Sequence, residues 1–504
     1  AAHEFRHVVQ YQHATRGFNK VMYYLFGPTT LAGFAQAAVP SWFWEGDAVV
    51  METALTPSGR GRIPNFGLVF RTNLMEGRSF NYHKQYLRSY KHQIPNQYVL
   101  GYYMVSHLRR ESNDKDIWGD ITARAWNLPF IPFAFSNAIH KKTGRYVTRL
   151  YEDMAADLKK EWESEVDQLK LTPFENVNRR KSPAYTDYLY PQPLSADSLL
   201  VMKRGIGDIE QFVVLDRNME EHKIFTPGFI NDAGMLSVAR GKIVWSEYGY
   251  DPRWSVRNYS VVKVYSIYSK YKKTVGGKRS RLSGGALSPD GTMVIAVESD
   301  RNYNVSLQLF DSARGRKIKT FPNPESVFLS MPRWSADGKT IVVIKTGTDG
   351  KRISLVNVSN GLSEDVLIVG HENVGHPVKF KNYILFNSPV TGIDNIFAYD
   401  LDTKVRKQIT VSRYGAYNPA VSIDGKTIYY NEQTRDGMDV VKVRFDPSTW
   451  KVFESSSPKV KPDSQYLEEQ EGNLALFDTI PSASYPVTKY SRFKGLINPY
   501  SWGA

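Results

Sequence analysis

The apolar positions of this chain change period once, and the change divides it. Val147, Leu150, Met154, Leu158, Trp162, Val166 and Leu169 recur at steps of three and four, with Lys, Asp and Glu between them. Such spacing stacks apolar side chains on one helix face. It predicts a long amphipathic helix over residues 147–169 whose role is core packing. Residues 1 to about 185 read as mostly helical. The stretch LTPFENVNRRKSPAYTDYLYPQP then loses the period among prolines and polar residues, which marks a linker or domain boundary.

From about Pro191 the segments become short, β-branched and aromatic: KTIVVIKT, RISLVNVS, YILFNSP and KTIYYNEQ, each bounded by turn residues. They also repeat. LSPDGTMVIAVES, WSADGKTIVVIKT and VSIDGKTIYYNEQ share a Ser-x-Asp-Gly start, and Asp-Gly is a hairpin turn because Gly accepts positive φ without steric cost. Gly291 and Gly338 stand 47 residues apart, and Gly338 and Gly425 stand 87 apart, about two repeats. The intervening member falls at VKFKNYILFNSP, with Lys381-Asn382 as its turn. Weaker members lie near Asp197 and Gly241. Six units of about 45 residues, each long enough for four strands, predict β-propeller blades.

Composition narrows the function classes. The chain has 504 residues, enough for two or three domains, with 41% hydrophobic and 23% charged residues. The aromatic share of 13% suits a β-rich fold or a surface that grips peptides or glycans. A net charge of +14 is scattered along the chain without RNA-binding or helix-turn-helix signatures, which argues against a nucleic-acid partner. Cysteine is absent, so disulfides and thiolate metal sites are excluded, and any metal must sit on His and carboxylates. No signal peptide is visible. The most apolar run, WNLPFIPFAF, is too short and proline-broken to span a membrane.

The Ser-x-Asp-Gly repeats resemble those of the TolB-like propeller family over roughly residues 188–455. The resemblance implies a six-bladed all-β propeller and little about chemistry, because propellers serve both binding and catalysis. No Gly-x-Ser-x-Gly elbow of a propeller-linked serine hydrolase is present. Residues 456–504 begin as the polar linker SSSPKVKPDSQ and end in YSRFKGLINPYSWGA. That ending resembles the segment joining such propellers to outer-membrane β-barrels of Bacteroidetes-type surface proteins. A tail packed on the propeller is the alternative.

The chemistry-bearing motif stands at the start. HEFRH places His3 and His7 four apart, on one helix face, with Glu4 beside them, as in a zinc-binding helix. Phe5, Val8 and Val9 are available to a core. A third ligand is needed, and VPSWFWEGDAVVMETAL offers Glu45 between Trp42, Trp44 and Gly46, on a helix that Ser41 is placed to cap. H-E-x-x-H followed by Trp-x-x-Glu-Gly resembles the gluzincin metallopeptidases, the thermolysin and aminopeptidase N superfamily. The resemblance implies His3, His7 and Glu45 as zinc ligands and Glu4 as general base. QYVLGYYMVSHL resembles the Tyr-x-x-Gly stretch whose tyrosine binds the oxyanion, which implies Tyr98 in that role. Tyr102 and Tyr103 lie a turn away, and Leu100 stands where the family usually has Lys. His83 and His92 are further candidates for a proton donor. His371 and His376 have poor ligand spacing. The exopeptidase signature Gly-x-Met-x-Asn is absent, which leans toward an endopeptidase.

The expected fold class is a multidomain chain: a mainly α-helical (α+β) gluzincin-like peptidase portion over residues 1–185, an all-β six-bladed propeller over 186–455, and a C-terminal segment over 456–504. In the resembled family a sheet precedes the zinc helix, so the chain is expected to be part of a larger protein. The expected function is zinc-dependent peptide hydrolysis in the bacterial cell envelope, in the periplasm or at the outer-membrane surface. A propeller there binds the peptide or protein substrate or an envelope partner. Two alternatives stand beside it: a non-catalytic binding or scaffold protein built on the propeller, and a propeller glycosidase or lyase with paired carboxylates.

Overall fold

A computed structural model of the chain describes residues 2–230, 235–254, 256–454, 462–472, 484, 486–489 and 493. Two units divide it, Ala1–Asp167 with Val460–Ala504, and Gln168–Lys459. The membrane-barrel resemblance falls on residues 490–504, which apart from Phe493 lie outside the described residues. Among the described residues, no helix is long and apolar enough to cross a membrane.

The first unit is built from helices α1 (Ala2–Ala14), α2 (Gly17–Phe26), α3 (Pro28–Ala38), α4 (Ser41–Leu55), α5 (Leu68–Met75), α6 (Tyr82–Leu87), α7 (Gln97–Ser112), α8 (Ile117–Asn127), α9 (Ala134–Thr143), α10 (Val147–Asp167) and α11 (Pro462–Gln470). In α10 the expected stripe from Val147 to Val166 is buried, and the helix stops two residues before Leu169. The centre of the unit is the crossing of α4 and α7. A Cβ on Gly46 would stand 2.1 Å from the Gly101 carbonyl carbon, and one on Gly101 would stand 1.8 Å from the Trp42 carbonyl oxygen. The two backbones touch, so only glycine fits at either position. Around the crossing, Trp42, Phe43, Trp118 and Phe135 pack with ring centroids 5.3 to 6.3 Å apart. The Trp42 indole donates to the Tyr82 hydroxyl at 2.9 Å. Helix α11 is tied on by ion pairs of Arg62 with Glu468, Arg109 with Glu471 and Arg110 with Asp463.

This unit corrects the sequence expectation. Its described elements are helices and short 3-10 turns, with no strand between Ala2 and Asp167, so the α+β fold of a gluzincin-like peptidase portion is not present there. The propeller dominates the architecture instead. The physical reason is the locality of the motifs. An H-E-x-x-H and a Trp-x-x-Glu-Gly each define one helix face, and a helix face does not specify a sheet beside it. Two smaller expectations also fail. Phe5 and Val8 are 67% and 60% exposed instead of joining the core. Ser41 is the first helical residue, following Pro40, and makes no cap.

The second unit is a six-bladed β-propeller. Five blades run consecutively, with inner strands Thr186–Ser195, Ser237–Ala239, Leu282–Leu287, Phe328–Trp334 and Gly375–Phe380. Blade 6 starts at Ala416–Val421, and its outer edge is completed by Glu175–Asn176 from before blade 1. The ring is thus closed by the segment that the sequence presents as linker. Asn178 reinforces it, donating to Asp439 at 2.8 Å and accepting from the Val440 amide at 2.7 Å. Between blades, apolar faces interleave; Ala286, Ile295 and Leu307 of blade 3 pack with Leu329, Ile341 and Val343 of blade 4.

The repeated Ser-x-Asp-Gly is a self-contained turn joining inner and second strands. In blade 4 the Ser335 hydroxyl donates to Asp337 at 2.5 Å and accepts from the Thr340 amide at 3.0 Å, while Asp337 also accepts from the Lys339 amide. Ser288–Asp290 and Ser422–Asp424 repeat the arrangement. Gly338 follows at φ +69°, as Gly291 and Gly425 do at +71° and +70°. A Cβ on Gly338 would meet nothing closer than 3.8 Å, so the cost of a side chain there is backbone strain alone. Gly338→Ala is expected to destabilise the propeller by about 1–2 kcal/mol in a denaturant titration. An unchanged midpoint would contradict this account of the turn.

Candidate metal centre

Helix α1 lies along α4, and a buried polar clamp holds the two in register. Arg6 donates to both oxygens of Asp47 at 2.7 and 3.1 Å. Gln10 donates to Asp47 at 2.7 Å and to the Trp44 carbonyl at 3.0 Å. The residues one turn apart on the same side of α1, His3 and His7, are thereby turned toward Glu45. His3 Nε2 stands 3.2 Å and His7 Nε2 3.6 Å from the same Glu45 Oε2. One ligand atom from each of His3, His7 and Glu45 lies within 4.8 Å of the others. All three side chains are partly exposed, between 12% and 24%.

These distances can be compared with what an ion requires. With metal–ligand bonds of about 2.0–2.1 Å in a tetrahedron, ligand atoms stand about 3.3–3.4 Å apart. The two measured separations bracket that value. The outer faces of the imidazoles fit as well, because a ligating histidine normally engages its second nitrogen with an acceptor. His7 Nδ1 faces Gln10 Oε1 at 2.8 Å, and His3 Nδ1 faces Glu52 Oε2 at 3.2 Å. Arg60 Nη2 also approaches His3 Nδ1, at 2.7 Å. Without a metal, a neutral His3 that donates from Nε2 to Glu45 accepts from Arg60 at Nδ1. A metal at Nε2 requires the proton on Nδ1, where Glu52 is the acceptor. Arg60 and Glu52 are paired at 2.6 Å, so both alternatives are held ready by one ion pair. Burial pushes the Glu52 carboxyl up, but the Arg60 hydrogen bonds outweigh it and the net shift is down, leaving a carboxylate.

Tyr98, on α7, is delivered by the glycine crossing. Its ring lies 6.0 Å from that of His3, under the Arg60 guanidinium at 4.9 Å. Burial, with the Glu45 charge and hydrogen bond next, raises its phenol, so it stays protonated at neutral pH. Tyr102 and Tyr103 are buried in the core at 2% and 5% exposure. Glu4 is exposed on α1. His83 meets Tyr82 edge-on and His92 lies tilted against Phe80, and neither belongs to the His3–His7–Glu45 group. Sequence reasoning missed Gln10, Glu52 and Arg60. Glu52 had a signal: seven residues after Glu45 is two helical turns, the same face of α4. Arg60 had none, since it reaches the site from a 3-10 turn (Arg60–Arg62).

No family model matches the chain, and no curated protein is similar enough to be matched. Among solved structures, the chain is similar to TolB from Agrobacterium tumefaciens, at 17% identity and TM-score 0.38, covering 47% of this chain and 84% of that one. TolB from Acinetobacter baumannii is similar at 12% identity and TM-score 0.36, covering 61% and 72%. An oligogalacturonate lyase from Vibrio parahaemolyticus is similar at 10% identity and TM-score 0.37, covering 56% and 98%. The structural neighbours are thus TolB-like propellers and propellers of enzymes.

Glu45→Ala removes the atom on which both imidazoles converge. Dialysed protein analysed by elemental mass spectrometry is expected to hold about one equivalent of zinc as wild type and little as the variant. Glu52→Ala is expected to lower zinc affinity about 10–100-fold in a chelator competition. Equal affinity would remove Glu52 from any role in orienting His3.

Proposed function

We propose that this chain is a propeller-based binding protein of the bacterial cell envelope whose helical unit carries a zinc centre able to hydrolyse a peptide bond. The observation that carries the catalytic part is the convergence of His3, His7 and Glu45 with both Nδ1 atoms already facing acceptors. When bound there, zinc supplies a Lewis acid and an acidified water. The two imidazoles and the carboxylate contribute one negative charge, which suits a dication that must remain electrophilic. Zinc is favoured over harder ions because two of three ligands are imidazoles.

The surrounding residues have distinct tasks in this reading. Glu4 follows His3 directly and is free of the buried clamp, so it takes the proton of the attacking water and returns it to the leaving amine. Tyr98, kept protonated, donates to the oxyanion of the tetrahedral intermediate, a contact worth about 3–4 kcal/mol where such donors have been removed. Arg60 lies over the Tyr98 ring and fixes it by a cation–π contact. The propeller binds a protein or peptide partner. The placement in the envelope rests on the likeness of its Ser-x-Asp-Gly blades to the TolB-like family.

A second reading drops the chemistry and keeps the binding. It is favoured by the Arg60 contact at His3 Nδ1, which suits a metal-free His3, and by a fold in which the propeller outweighs the helical unit. Glu4→Gln separates the two. With zinc present, a peptide-cleavage screen is expected to show activity in wild type and a loss of at least about 100-fold in Glu4→Gln, with metal content unchanged. No cleavage by the zinc-loaded wild type leaves the binding protein as the reading to pursue.

A further inference from the structure

Five of the six inner strands carry the same irregularity. The pairing between inner and second strand shifts at Leu189/Gln192, Ser283/Ala286, Ser330/Arg333, Gly375/Val378 and Tyr417/Ala420. At each shift one residue has positive φ: Tyr190 at +55°, Gly284 at +61°, Met331 at +52°, His376 at +51° and Asn418 at +53°. In four of the five the next residue is proline, which a strand tolerates at a bulge. A bulge re-aims side chains, and positive φ at four non-glycine residues is strain retained at one place in the ring.

Two of the side chains at these bulges meet across the ring. Tyr190 belongs to blade 1 and His376 to blade 5, which are not neighbours, yet their rings lie 5.4 Å apart. Arg333, on the inner strand of blade 4 opposite blade 1, is within electrostatic reach of both. Arg333 is 9% exposed. Among the described residues it makes no ion pair or side-chain hydrogen bond, and no carboxylate is near enough to offset its desolvation. Burial lowers its guanidinium to about 10, so it remains a cation at neutral pH. Burial and then the Arg333 charge push His376 down to about 3, so its imidazole is neutral. Burial raises the Tyr190 phenol, so it keeps its proton. A cation without a protein partner among the described residues therefore lies within electrostatic reach of two neutral hydrogen-bonding rings. Leaving a buried charge unpaired is costly unless something else pairs it.

We propose that the axis of the propeller is a binding site for a single carboxylate, the free C-terminus of a peptide, gripped by Arg333 with Tyr190 and His376 beside it. The guanidinium fork matches a carboxylate bidentately, and its one charge matches a monoanion, where a phosphate dianion would be left half neutralised. A uronic sugar needs partners for several hydroxyls. The equivalent bulge positions offer Met331, Gly284 and Asn418, and Asn418 already gives its amide to Asn431 at 2.8 Å. An extended chain end, by contrast, needs one anion site and a narrow approach. This site deepens the binding role proposed for the propeller and does not involve the metal centre.

The test is calorimetric titration of the full chain with an acetylated alanine hexapeptide as free acid, as C-terminal amide, and as amide with one internal Glu, and with trigalacturonate. The free acid is expected to bind at least about tenfold more tightly than either amide. Arg333→Met is expected to erase that preference while melting no lower than wild type, because it removes an unpaired buried charge. Arg333→Lys, which keeps the charge without the fork, is expected to fall between. Equal binding of acid and amide, no binding of the acid up to millimolar concentration, a preference that survives Arg333→Met, or binding of trigalacturonate alone would each overturn the proposal. The same titration in Glu45→Ala is expected to be unchanged, so failure of the zinc reading is separable from failure of this one. Binding of acid and amide alike with no effect of Arg333 would leave a binding propeller whose site lies elsewhere.

Discussion

Backbone contact between α4 and α7 is the constraint from which the helical unit follows. Gly46 and Gly101 leave no room for a Cβ, and this contact fixes the height at which the two helices cross. Glu45 precedes one glycine and Tyr98 stands one turn before the other, so the crossing decides the distance between carboxylate and phenol. The aromatic cluster of Trp42, Phe43, Trp118 and Phe135 then buries the far side of α4. The Arg6–Asp47–Gln10 clamp brings α1 to the near side. The residues of the candidate site are thus placed by packing and by the Arg6–Asp47–Gln10 clamp, whose Gln10 also faces the His7 imidazole at 2.8 Å.

The propeller solves a different problem. Each blade alone exposes two apolar faces, and stacking six in a ring covers both. Closure by Glu175–Asn176 on blade 6 uses few hydrogen bonds, and Asn178 supplements it with side-chain bonds to the same edge, while Arg180 donates to the carbonyls of Thr186 on blade 1 and Asp436 on blade 6. The turns between inner and second strands satisfy their own donors locally, as the Ser-x-Asp-Gly units show. On the inner strands, positive φ and proline recur together. A ring can carry that strain because every inner strand is held by its second strand and by the neighbouring blades.

Much of this was legible in the sequence. The turn repeats counted six blades correctly, because Asp-Gly turns and the strands that flank them are determined by residues within a few positions of each other. Helix α10 was legible for the same reason. His3 and His7 on one face, and Glu45 on a helix just after Trp42 and Trp44, were readable from spacing. The same locality produced the mistaken fold of the first unit: two helix-face motifs were extended to an α+β domain, and nothing in a helix period encodes a sheet. The inner-strand bulges were visible as Tyr-Pro, Met-Pro, His-Pro and Asn-Pro inside strand patterns, a signal that periodicity alone treats as an interruption.

What the sequence by itself determined is therefore everything set by short-range periodicity and turn chemistry: the helical and β halves, the blade count, the helix that bears His3 and His7, and the exclusion of thiolate chemistry. Only the tertiary structure decided which residues meet from distant positions. Glu52 and Arg60 at His3, Glu175 on blade 6, and Arg333 between Tyr190 and His376 are separated in sequence by tens to hundreds of residues. Their association depends on the crossing of helices and the closing of a ring. The physical reason is that periodicity fixes the direction in which a side chain leaves its own element, whereas its neighbours are fixed by how whole elements pack, and packing depends on volumes and close approaches summed over the domain.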